Sequence, residues 1–429
     1  MAANWRPMVV RNLPLIPQRP PLAAVIVGLA GGVLGAAYLA VLHLLAEVLG
    51  PHRHGPLASL VILAGVGVAV AMIDRFIGPS GNIELLVDNI HVDGGVRGMR
   101  ELRALIPSSL LCISAGGGLG PEAPLVQSAG SIASSVARDA AYSPARTRVL
   151  TIAGMASAFA VLFGAPLGAA LFALELPHRR GLEHHEAIVP AVVGALTGLG
   201  ANSLLGGHAM GPIWSTLPPV ARTQPLDFAW AGLGVAIGVA IALAFVVLVS
   251  GLRRAANLLP VSLRPVVGGL VLGGLGWLSP YALTFGEFQL DPLLAAEAGG
   301  AAFLVAGLAK LAGTSVTVAA GWRGGFIIPL LFMGAALGSA FADLVPGVPI
   351  TVLVVAAMVS ANVGVTNTAL GTAVVVTEMA GLHLLPTTLF AALLALALTP
   401  RLGLIGSQRS RSAPAQPPRL GADEGRPTE

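Results

Sequence analysis

Glu122 lies between two prolines in Gly116-Gly-Gly-Leu-Gly-Pro-Glu-Ala-Pro124, at the start of an apolar run. An ionisable group in such a setting is costly and is kept where it functions. At a helix start its carboxylate is stabilised by unpaired backbone N–H groups and by the positive end of the helix dipole. Those donors would equally hold a free anion. Glu122 can therefore compete with an anion for one set of donors, and protonation releases it, which makes it a gate and a potential proton carrier. The bland alternative is a glutamate that merely caps its helix. Two further segments have the same build, Gly78-Pro-Ser-Gly-Asn-Ile-Glu84 and Gly321-Trp-Arg-Gly-Gly-Phe-Ile-Ile-Pro329. Glycine lets the backbone turn and approach a ligand, and proline suits a first helical turn. Converging, the three would make an anion site from backbone amides alone. Taken singly, each also reads as an ordinary helix–loop–helix turn.

The elements that must position these segments are membrane helices. Of 429 residues, 55% are apolar and only 10% charged. That excludes a soluble enzyme, a nucleic-acid module and a disordered chain. Glycine (55) and proline (32) make about a fifth of the sequence, too much for a bundle of straight spanning helices. Apolar runs recur from residue 22 to 399. Crossing the hydrocarbon core takes about 20 residues. Runs such as 104–118, 122–137, 350–363 and 367–379 fall short of that. They read as half-spanning or re-entrant helices, tolerated where they face protein or a cavity. The fold class is thus an all-α polytopic membrane protein.

Arginines gather outside the apolar runs, with Arg6, Arg11 and Arg19 before them and Arg401, Arg409, Arg411, Arg419 and Arg426 after. By the positive-inside rule both termini are cytoplasmic and the crossings even in number, in the inner (plasma) membrane. Solvated tails would show the same bias. The first apolar run is too long for a secretory signal. Cys112 is the only cysteine, so an intrachain disulfide is excluded, and it reads as packing.

Two separated matches suggest a duplication. Pro166–Glu175 aligns with Ala369–Glu378 at an offset of 203, and Pro124-Leu125 with Pro329-Leu330 at an offset of 205. Chance similarity between two Ala/Gly/Leu-rich stretches competes with this reading. Such repeats in transporters are commonly inverted, with the binding site at their interface. The expected organisation is a segment 1–21, a first repeat 22–205, a polar connection 206–227, a second repeat 228–402 and a disordered tail 403–429.

The same residues carry a family resemblance. Gly120-Pro-Glu122-Ala-Pro124-Leu-Val-Gln127 resembles the G-(K/R)-E-G-P-x-V-Q segment of the CLC chloride channel and proton-exchanger family. Ala165–Glu175 resembles its A-P-L-A-G-x-L-F-x-x-E segment, Gly324–Pro329 its G-G-x-F-x-P segment with Lys310 upstream, Ser80–Glu84 its S-G-I-P-E segment, and Val376–Met379 its T-E-M segment. The matches keep the family's order over about residues 22–407. The resemblance implies two inverted repeats of tilted, partly re-entrant helices. It implies a homodimer in the bilayer, with a pathway for chloride or a similar small anion in each subunit. Protons are a possible second substrate. Glu122 would be the gate. Ser80, Gly81, Gly120, Gly325, Phe326, Ile327 and Ile328 would contact the anion, with Glu122 and Glu175 as candidates for a proton pathway. It implies no cofactor, metal, nucleic-acid partner or enzymatic activity.

The sequence also departs from the family. Pro121 replaces a basic residue, Ala123 a glycine, and Phe326 comes one place early. The exchangers' internal glutamate falls on Leu176, and their pore tyrosine near Ser407. Glu175 therefore reads more as structural than as a proton carrier. Glu183, His184, His185 and Glu186 read as a solvated loop, with a relay or metal site as the rarer alternative. The Ser/Thr/Asn run at 360–368 reads as interhelical hydrogen bonding. Competing functions are a passive anion channel without proton coupling and a cation–proton antiporter, which would need several membrane carboxylates.

Overall fold

The computed structural model describes residues 20–78, 83–95, 101–178, 182–207, 217–295, 298–400, 402 and 404–408. These residues form sixteen α-helices: α1 (Pro20–Leu49), α2 (Pro56–Phe76), α3 (Ile83–Asp93), α4 (Leu102–Ser114), α5 (Glu122–Asp139), α6 (Pro144–Phe163), α7 (Pro166–Glu175), α8 (Ile188–Leu204), α9 (Asp227–Ala256), α10 (Arg264–Leu278), α11 (Glu287–Ala295), α12 (Gly299–Ala319), α13 (Ile327–Leu344), α14 (Ile350–Thr366), α15 (Ala369–Ala380) and α16 (Leu385–Leu398). Eight helical stretches are long and apolar enough to cross a membrane.

Long and short helices take different places. α1 and α9 have 30 residues each. At 1.5 Å per residue that is ~45 Å, longer than the ~30 Å hydrocarbon core, so such helices must tilt or extend beyond it. α2 turns Leu57, Val61, Val68, Met72 and Phe76 outward, as a helix solvated by lipid does. α6 and α14 lie in the middle, and every residue of α14 after Ile350 is buried. Proline occupies a first-turn position in α2, α6, α7, α10 and α16, where its missing N–H costs no bond. The continuous apolar stretch 149–176 folds as two helices. Gly164, in the left-handed region at φ 64°, closes α6, and α7 restarts two residues later. Helices α3 and α11 fall outside the apolar runs, because their sequences, IELLVDNIHVD and EFQLDPLLA, mix acids into the apolar pattern.

The duplication is visible in the packing. The short helices α7 and α15 lie antiparallel, each with its glutamate at the other's start. Glu175 accepts the backbone N–H groups of Leu370 (3.1 Å) and Gly371 (2.7 Å). Glu378 accepts those of Leu167 (3.3 Å) and Gly168 (2.7 Å). A Cβ at Gly168 would lie 2.4 Å from Val375 N, and one at Gly371 would lie 2.4 Å from the Phe172 Cα. Both contacts repeat at the 203-residue offset of the sequence match. The buried Lys310 ties a second seam. Its ammonium donates to the carbonyls of Leu283 (2.7 Å) and Thr284 (2.8 Å) and to Gln289 Oε1 (2.8 Å), 4.9 Å from the Phe332 ring centre. These bonds supply what a buried ammonium requires.

Candidate functional site

Two of the three glycine–proline segments converge. Gly120 and Gly325 form an antiparallel bridge, with N–H to carbonyl distances of 2.7 and 2.6 Å in the two directions. This sets the starts of α5 and α13 against each other, at the 205-residue offset of the second sequence match. Glu122, fully buried on the first turn of α5, accepts the Ile328 N–H at 2.6 Å through Oε1. Its other oxygen, Oε2, has no hydrogen-bond partner among the described residues. The glycines are required by proximity. A Cβ at Gly120 would lie 2.1 Å from Glu122 Oε2, and one at Gly325 would lie 2.6 Å from it. The carboxylate thus sits on a backbone donor at the start of α13, where an anion would also bind.

Beside it is a cavity of about 30 Å³, lined by Glu122, Phe159, Leu176, Phe326, Thr366 and Ile405 among others. That is room for a water or a small dehydrated ion. Among its lining residues Glu122 is the only acid. A site for a metal cation would gather more carboxylates, so the antiporter reading for cations loses its support. A second cavity of about 300 Å³ adjoins the first, sharing Ala123, Phe326 and Ile405 in its lining. Arg253, Arg264 and Arg323 line it, with Gln127 and Asn257. Arg323 is paired with Asp74 at 3.1 Å, so the wall keeps a net positive charge that concentrates anions. Phe326 lines both spaces, its ring 5.9 Å from that of Phe245.

The sequence-predicted residues are placed unevenly. Gly120, Gly325, Phe326, Ile327 and Ile328 meet around Glu122. Ser80 and Gly81 lie outside the described residues, and so do the segments 1–19 and 409–429. Glu175 does not line the cavity; both its oxygens are engaged with α15, while its neighbour Leu176 is in the wall. A disordered tail from 403 is corrected for residues 404–408. Leu404 and Ile405 line cavities, and Gln408 Nε2 donates to the carbonyls of Leu176 (2.9 Å) and Thr366 (2.7 Å). The 360–368 run bonds largely within its own neighbourhood, through Thr366–Thr368 (2.7 Å) and Thr368–Thr372 (3.0 Å), with Asn362 reaching the Ile327 carbonyl (3.2 Å). The loop reading of 183–186 fails at His184, which is 1% exposed.

Sequence reasoning missed Phe159, Thr366, Ile405 and the arginine-lined space, which come from distant stretches of chain. It also missed Glu287, half-buried at the start of α11 with one carboxyl oxygen buried, near enough for its charge to interact with Glu122. An acid directly after Gly286 and ahead of a short apolar stretch was the available signal.

Relatives share this architecture. The chain is 27% identical, over 95% of its length and 90% of the relative's, to a chloride/fluoride channel protein of Pseudomonas syringae pv. tomato. It superposes on a CLC-type fluoride/proton antiporter with a TM-score of 0.79 at 22% identity, covering 91% of this chain and 97% of that one. On a slow cyanobacterial Cl⁻/H⁺ antiporter the TM-score is 0.73 at 21% identity, with 90% and 96% covered. The sequence model of the voltage gated chloride channel family matches residues 65–399, and the chain, a multi-pass membrane protein, belongs to that family.

Proposed function

We propose that this protein moves chloride, fluoride or a similar small anion across a membrane through a pathway in each subunit, with Glu122 as its gate. The observation that carries the reading is the buried Glu122 carboxylate held on the Ile328 N–H at the start of α13, beside an ion-sized cavity. When ionised, the side chain occupies the donor an anion needs. When protonated, it loses the charge that holds it there, and the donor passes to the anion. The arginine-lined space supplies anions to this point, and Phe326 marks the constriction between them. Gly120, Gly325, Ile327 and Ile328 form the anion's surroundings, with Ser80 and Gly81 as further contacts. The repeats run over 22–205 and 228–402, joined by 206–227. The protein is a homodimer in the inner (plasma) membrane, with both termini cytoplasmic.

Proton coupling follows from the same carboxylate, and the two antiporters of like fold favour it. A passive channel is favoured by the apolar wall of Phe159, Leu176 and Ile405, which offers no second titratable group to the cavity. Reconstitution with simultaneous anion and proton electrodes decides. Uphill proton movement driven by an anion gradient means exchange, and anion flux alone means a channel. The absence of anion flux under every gradient would overturn the assignment.

A further inference from the structure

We infer that His91, His178 and His184 form a binding site for a divalent transition-metal ion of the zinc class. The site stands apart from the anion pathway and does not depend on its reading. The three residues come from separate places: the end of α3, the turn after α7 and the segment before α8. Each offers one ring nitrogen, and these atoms all lie within 4.8 Å of one another. The rings lie close at tilted and edge-on angles, with centroids 4.7 Å apart for His178–His184, 5.5 Å for His91–His178 and 6.4 Å for His91–His184. His178 and His184 are buried, at 0% and 1% exposure.

The hydrogen bonds fix the tautomers. His91 Nε2 lies 2.7 Å from the Pro177 carbonyl and His178 Nδ1 lies 3.0 Å from the Leu174 carbonyl. A carbonyl only accepts, so each of these nitrogens carries the proton. In the neutral rings the opposite nitrogens, His91 Nδ1 and His178 Nε2, then hold lone pairs. His184 Nδ1 lies 3.6 Å from Glu186 Oε1, an ion-pair distance outside hydrogen-bond reach. A metal-bound imidazole commonly has this arrangement, with its second nitrogen anchored on a carbonyl or carboxylate. Three neutral imidazoles suit zinc and its neighbours in the first transition row, not magnesium or calcium, which take oxygen. A tetrahedral zinc holds such nitrogens roughly 3.3 Å apart, so the rings would draw in on binding, and a water would complete the set. One ion at this point would join the end of α3 to the segments that follow α7 and precede α8. His178 is two residues from Leu176 in the cavity wall, so the ion would brace that wall.

The test uses full-length protein in detergent, without a polyhistidine tag and stripped with chelator. Titration calorimetry with zinc chloride should show one ion per chain, and zinc but not magnesium should raise the melting temperature. His184→Gln and His178→Gln should each weaken zinc binding by about a hundredfold or more, since loss of an outer-shell partner alone costs 10–100-fold. His185→Gln, at an exposed neighbour, should leave it unchanged. Cobalt(II) in the wild-type protein should give the visible absorption of a tetrahedral nitrogen site, a readout that survives if a variant fails to fold. No zinc uptake by the wild type, an octahedral cobalt spectrum, or equal binding in His184→Gln and wild type would each overturn the site.

Discussion

Glu175 and Glu378 exchange roles across the molecule: each carboxylate caps the helix that carries the other. The pairing joins the two repeats at a place where both helix starts are short of partners. The pair is not equivalent in depth, because Glu175 is 2% exposed and Glu378 is only half-buried. Removing Glu175 strands two amides with little access to water, at about 1–3 kcal/mol for each buried unsatisfied group. Glu175→Ala should therefore lower the melting temperature in detergent more than Glu378→Ala. Equal losses would mean that depth does not govern the caps.

Glu122 should set the pH response. Wild-type anion efflux from liposomes should rise as pH falls, because protonation frees the Ile328 N–H. The rise should not exceed about tenfold per pH unit, the limit for one titrating group. Glu122→Gln should be pH-independent while still passing anions. Among the described residues Glu287 is a second acid near Glu122, and Glu287→Gln should keep a pH-dependent flux. A flat wild-type profile, or an unchanged one in Glu122→Gln, would remove Glu122 from the gate.

The close approach at Gly120 makes a double-mutant test. The three atoms nearest a Cβ at Gly120 all belong to the Glu122 carboxylate. Gly120→Ala alone should destabilise by about 1–3 kcal/mol, as overpacking does. Glu122→Ala removes the obstacle, so the double variant should regain most of the loss, a coupling that thermal melts can read. Additive losses would place the clash elsewhere.

The arginine-lined space should act at long range. Arg253→Gln and Arg264→Gln should each reduce anion flux severalfold at low ionic strength. The deficit should shrink as salt shortens the Debye length to about 10 Å at 0.1 M. A salt-independent deficit would argue for a direct contact with the ion instead.

Much of this was legible in the residues themselves. The offsets of 203 and 205 reappear as the Glu175–Glu378 exchange and the Gly120–Gly325 bridge, because a duplicated sequence packs its copies by equivalent contacts. Glu122 was legible because an acid inside an apolar run needs a reason. Thr366 and Phe159 were not, since an apolar or hydroxyl residue in a membrane helix looks the same whether it faces a cavity or a neighbouring helix, and Ile405 was not, since it lies beyond the last helix in a stretch read as tail. The histidine group was hidden for a related reason. His91 and His178 are 87 positions apart, and only folding makes them neighbours. The arginines read as topology signals were those at the two ends of the chain, whereas Arg253, Arg264 and Arg323, which face a common space, lie between or at the edges of apolar runs and drew no reading of their own.

Gln408 has a consequence for how the protein is made. Its amide joins the Leu176 carbonyl in the first repeat to the Thr366 carbonyl in the second, and Ile405 just before it lines the ion-sized cavity. The wall around Glu122 is therefore incomplete until translation has passed residue 408. A half-made chain in the membrane holds an acid and open amides but no sealed compartment, so the wall closes only once these last residues are present.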